Sequence, residues 1–72
     1  YDLQKTTDVK LEVYNLLGQK VKTLVNKKQA KGKYEIYWHG LDDFGNKVAT
    51  GNYFLKFETE NYSKVQKMLL IK

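Results

Sequence analysis

Apolar and polar side chains alternate one for one along most of this chain. Val9, Leu11 and Val13 are interleaved with Lys10, Glu12 and Tyr14. A period of two marks a half-buried β-strand. Asn15-Leu16-Leu17-Gly18 follows as a turn, with Gly18 placed to supply the positive φ that closes a short hairpin. A second strand runs through Val21, Thr23 and Val25, alternating with Lys20, Lys22 and Leu24. Asn26 to Gly32 is polar and lysine-rich and reads as a loop. Lys33 to Trp38 reads as the next strand, with Tyr34, Ile36 and Trp38 on one face and Glu35 and Tyr37 on the other.

Gly40 to Gly51 is a turn-rich connection built on Asp42-Asp43-Phe44-Gly45-Asn46, and Val48 is expected to anchor a very short strand. Tyr53, Leu55 and Phe57 then alternate with Phe54, Lys56 and Glu58. Glu60-Asn61 forms a hairpin tip, and a last strand is expected from Ser63 to Lys72. Tyr1 to Leu3 reads as the end of a first strand whose beginning is missing. The sum is about seven short antiparallel strands at regular spacing, with no helical periodicity. That pattern predicts an all-β, immunoglobulin-like Greek-key β-sandwich.

Length sets the scale. The 72 residues form one domain, 1–72, with one core and no room for a deep substrate cleft. The chain opens on Tyr1 and not Met, so it is expected to be a fragment or a processed piece, with any export signal upstream or of another kind. Cysteine and proline are both absent. Thus no disulfide staples the fold, and no thiolate serves as nucleophile or ligand. No stretch approaches the ~20 apolar residues needed to span a bilayer, so no membrane insertion is expected.

The net charge is +5 and every one of the 13 basic residues is lysine. Base-edge and bidentate phosphate contacts favour the arginine fork, so no nucleic-acid partner is expected. The scattered lysines suit a solvated strand face and the guarding of sheet edges.

Candidate chemistry is sparse. His39, the only histidine, has no nucleophile or ligand partner in the pattern. Asp42, Asp43 and Asn46 lack the alternating spacing of a calcium loop and fit turn chemistry instead. Glu12, Glu35 and Glu58 fall at outward strand positions and suit cross-strand pairing with lysines. No catalytic residue, metal site or cofactor is expected, and the chain is not expected to be an enzyme. Tyr34, Trp38, Tyr53 and Phe57 read as core. Tyr14, Tyr37 and Phe54 fall on the other face, where they could stack on a sugar ring or be covered by a neighbouring domain.

Two features point to a partner surface. Leu16 and Leu17 are apolar residues in a turn. The last strand is apolar on both faces, with Leu69 and Ile71 on one and Met68 and Leu70 on the other. The candidate partner-binding residues are therefore Leu16, Leu17, Lys67, Met68, Leu69, Leu70, Ile71 and Lys72.

The blocks Val13-Tyr14-Asn15-Leu16-Leu17-Gly18-Gln19-Lys20-Val21, Gly32-Lys33-Tyr34, Trp38-His39-Gly40, Asp43-Phe44-Gly45-Asn46-Lys47-Val48, Gly51-Asn52-Tyr53-Phe54 and Lys67-Met68-Leu69-Leu70-Ile71-Lys72 together resemble a known family. It is the C-terminal sorting domain of proteins exported by type IX secretion, which is related to the immunoglobulin-like domain of the flagellar hook-capping protein. Gln4 stands where that family often has proline, and His39 where it often has aspartate or asparagine.

The resemblance implies a seven-stranded sandwich at the end of a larger secreted protein. Its final strand, here Lys67 to Lys72, would be read by a secretion translocon or shuttle protein, with the upstream cargo in the same chain and a secreted or cell-surface destination. Two other functions fit the residues. One is a hook-capping-like assembly module or filament subunit, self-associating through edge strands. The other is a carbohydrate-binding module using Tyr37 and Phe54.

Overall fold

The computed structural model describes residues 1–71. Among them there is no helix, and six strands are formed: β1 (Asp2–Leu3), β2 (Thr7–Tyr14), β3 (Lys20–Gln29), β4 (Gly32–Lys33), β5 (Gly51–Glu58) and β6 (Ser63–Leu70). They make two antiparallel sheets. The larger has the order β3-β2-β5-β6, and the smaller pairs β1 with β4. The chain leaves β3, crosses to the small sheet through β4, and returns to place β5 beside β2.

The alternation in β2 sets the core. Val9, Leu11 and Val13 are almost fully buried. Leu11 stands opposite Val25 on one side and Phe57 on the other, and opposed residues of an antiparallel pair share a face. Leu3 of the small sheet completes the buried cluster with Val9, Leu11 and Val25, flanked by Tyr1, Leu24, Tyr34, Leu55 and Phe57. The Tyr1 ring joins the sheets. It stacks on Tyr34 at 5.3 Å and meets Phe57 at 4.9 Å, and its hydroxyl donates to the Gln29 side chain.

Strand β6 ends at Leu70, so Ile71 lies outside the strand expected to include it, and the backbone departs from the sequence expectations in four further places. First, β3 runs on to Gln29, through residues expected to be loop. Its polar stretch is held by backbone pairing, with Thr7 opposite Gln29 and Lys10 opposite Asn26. Second, a bulge between Leu11 and Glu12 inserts Leu24 as an extra residue in β3, so Leu24 and Val25 both pack on the core.

Third, the strand expected from Lys33 to Trp38 pairs only briefly. Tyr34 exchanges backbone bonds with Tyr1 at 2.8 Å each way, but residues 35–39 have no backbone partner among the described residues. In consequence Ile36 is exposed and Trp38 only half-buried. Fourth, the strand expected at Val48 is replaced by a single bridge between Leu41 and Lys47.

Candidate functional site

Two five-residue turns share one construction. In the first, the Asn15 side-chain oxygen accepts from the backbone N–H of Leu17 (2.9 Å) and Gln19 (3.0 Å). In the second, the Asp42 carboxylate accepts from the backbone N–H of Phe44 and Asn46, both at 2.9 Å. Each turn closes with a glycine in the left-handed region, Gly18 at φ +80° and Gly45 at φ +83°, a conformation glycine adopts without a Cβ penalty. Each also presents an apolar side chain at its third position. Leu17 is 83% exposed and Phe44 89%.

The second turn is fastened beside the start of β3. The Asp43 backbone N–H donates to the Val21 carbonyl at 3.0 Å, and the Thr23 N–H donates to the Asp43 carboxylate at 3.0 Å. Lys22 Nζ lies 3.9 Å from the same carboxylate.

The end of β6 reaches the same end of the sandwich. Tyr14, the last residue of β2, is opposite Phe54, which is opposite Lys67. Leu69, Leu70 and Ile71 therefore run past the level at which β2 ends. The structure thus brings Leu16 and Leu17 to the same end of the molecule as Leu69, Leu70 and Ile71. Lys72 lies outside the described residues. Phe44 joins this end as a residue the sequence reading passed over. Its signal was the one used for Leu16 and Leu17, a large apolar side chain inside a polar turn.

Strand β6 lies at the edge of the large sheet, paired among the described residues with β5 alone. Lys67 and Leu69 point to the outer face with Val65, while Met68 and Leu70 point inward and are half-buried. Val65 and Leu69 are exposed. Val65 also belongs to the apolar outer stripe, although its place in the chain precedes the expected segment. The strand's inner face carries Lys64 and Gln66, and these line an open cleft of about 870 Å³ between the sheets, walled also by Tyr34, Ile36, Phe57 and Tyr62.

The Glu12 carboxylate meets lysines on the outer face, as the outward strand position suggested, yet it is almost fully buried. It sits on the central strand beneath long neighbours. Tyr14 donates its phenolic hydrogen to Glu12 Oε1 at 2.9 Å, and Lys20 and Lys10 place Nζ at 3.7 and 3.9 Å. Lysine stems cover apolar surface while the ammonium groups stay wet, which closes the carboxylate off from water.

The hydrogen bond to Glu12, with burial behind it, raises the Tyr14 phenol above its ordinary 10.0. The neutral phenol is favoured in the fold. Its contribution is therefore complete below the ordinary value and is lost as pH rises through the raised one. Titration of phenolate absorbance should find Tyr14 ionising late, and Glu12→Gln should bring it back towards the ordinary range. An unchanged Tyr14 in that variant would place the cause elsewhere.

The remaining candidates disperse. Tyr14 and Phe54 are ladder partners on the outer face, whereas Tyr37 borders the cleft between the sheets. Tyr37 and Phe54 therefore do not form one flat platform. His39 is exposed. Among the described residues no cluster of three or more histidine, cysteine, aspartate or glutamate side chains is placed to hold a metal ion, and no helix is long and apolar enough to cross a membrane.

Two antiparallel sheets around one core, with the chain crossing between them, define an immunoglobulin-like β-sandwich. The family model of the FlgD Ig-like domain matches residues 1–63, and the chain belongs to that family. The match ends at the first residue of β6, so the family relation by itself does not describe that strand. No curated protein and no solved structure matches the chain.

Proposed function

We propose that this domain is a non-catalytic sorting and attachment module, whose last strand directs export and cell-surface anchoring of a larger secreted protein. The observation that carries this reading is the state of β6. It is an edge strand with one backbone side unpaired among the described residues, and it bears the exposed apolar residues Val65, Leu69 and, just beyond it, Ile71. An extended strand at the margin of a sheet offers a partner main-chain hydrogen bonds for affinity and alternate side chains for specificity. Monomeric proteins normally blunt such an edge with charge, and here two lysines, Lys64 and Lys67, supply it along an otherwise uncharged strand.

The proposed partner is a secretion translocon or shuttle protein, and the cargo is the rest of the same polypeptide. Leu16, Leu17 and Phe44, at the end that β6 reaches, would form a second point of contact. The test is export of a reporter fused ahead of the domain. Removal of Met68–Lys72 should abolish release while leaving the reporter folded. Release that survives the trimming would rule out recognition through the last strand.

A second reading has its own support. Membership of the FlgD Ig-like family favours an assembly module, in which the same edge joins copies of the domain or a filament subunit. That reading expects the isolated domain to self-associate at micromolar concentration, where the sorting reading expects a monomer.

A further inference from the structure

We infer that β6 is a releasable strand, and that the partner takes it lifted off β5 rather than adding a strand to its free edge. This rests on the sorting reading for its biological use but not for its physical basis. The main buried cluster is built without β6, although Met68 stands opposite the buried Tyr53. Every member of the buried cluster and every apolar residue packed against it lies between Tyr1 and Phe57. The inward positions Lys64 and Gln66 are exposed and face the open cleft. Only Met68, opposite Tyr53, and Leu70, opposite Gly51, are half-buried.

No side-chain hydrogen bond, ion pair or aromatic contact among the described residues ties residues 63–70 to β5, so the strand is held by its backbone ladder and those two apolar side chains. Detachment would leave β5 still paired with β2, as the edge of a three-stranded sheet. The turn at Thr59–Tyr62, closed by a 2.8 Å bond from the Thr59 N–H to the Tyr62 carbonyl, provides the hinge.

Regions with few buried apolar contacts open locally at a free energy well below that of global unfolding. A released β6 would present Val65 and Leu69 on one side and Met68 and Leu70 on the other. It fits a partner with an unpaired sheet edge and apolar pockets on both sides of it. Edge addition, by contrast, would leave Met68 and Leu70 against the domain.

The test is site-resolved hydrogen exchange on the intact domain without a partner. It compares the β6 amides that bond to β5 with the amides of β2. Release predicts protection at least about a hundredfold lower in β6. Protection within tenfold of β2 would show that β6 opens only with the whole fold and would overturn the inference. The measurement involves no export machinery. A failure here leaves recognition of β6 standing, and a failure of the export test leaves strand release standing.

Discussion

Replacing Leu11 with alanine is expected to destabilise the domain by about 2–5 kcal/mol, the range for truncating a buried leucine. Leu11 is 4% exposed and stands at the crossing of both sheets, between Val25 and Phe57 in its own sheet and beneath Leu3 of the other. The cost includes lost transfer energy and the void left behind. The cleft beside Leu11 lets neighbours relax into the void, which favours the lower half of that range. A domain of this length has roughly 4–11 kcal/mol of stability at typical per-residue values, so the loss is a large fraction of the total. At about 4–8 °C per kcal/mol for a small domain, the midpoint should fall by about 8 °C or more. Thermal unfolding followed by Trp38 fluorescence and by calorimetry reads the change. Leu17→Ala, on an exposed turn tip, should stay within about 0.5 kcal/mol. If the two variants cost the same, the core has been misplaced.

Placing aspartate at both Val65 and Leu69 is expected to abolish export of a fused cargo while the domain stays folded. Both side chains are exposed on the outer face of an edge strand, and neither belongs to the core cluster. Each substitution should therefore change stability by about 0.5 kcal/mol or less. In a partner's apolar pocket, however, a carboxylate must shed water without a compensating bond, at a cost of several kcal/mol. Two such residues should reduce release at least about a hundredfold, since each 1.4 kcal/mol is tenfold in affinity. Reporter in the medium, measured beside the melting temperature of the purified domain, separates lost recognition from lost folding. Normal release from a folded double variant would move the recognised surface away from the outer face of β6.

The strands carrying a clear two-residue period were legible from the chain alone. Val9-Leu11-Val13 and Tyr53-Leu55-Phe57 became β2 and β5, the two central strands of the large sheet, because both needed one face covered and one face open. The two turns were legible from Asn15, Gly18, Asp42 and Gly45, whose backbone chemistry is local. Features that depend on what lies opposite were not legible. Asn26–Gln29 has no apolar pattern and is a strand only because β2 runs alongside it. Tyr34–Trp38 alternates like a strand, yet beyond Tyr34 it has no ladder among the described residues. The burial of Glu12 comes from Lys10, Lys20 and Tyr14 folding over it, which no local rule specifies. At the candidate site, Leu16, Leu17 and the terminal strand were visible as apolar residues out of place. Their meeting at one end, and the entry of Phe44 and Val65, required the register of β5 against β6.

The central claim is that this domain carries export information. It is tested most directly by fusing residues 1–72 to the C-terminus of a reporter that has its own inner-membrane signal peptide. The fusion is expressed in a host with a working type IX translocon and in one lacking it. Sorting predicts reporter in the medium or on the surface of the first host and in the periplasm of the second. Periplasmic reporter in both, with the domain shown to be folded, would contradict it and leave the assembly module as the function to pursue.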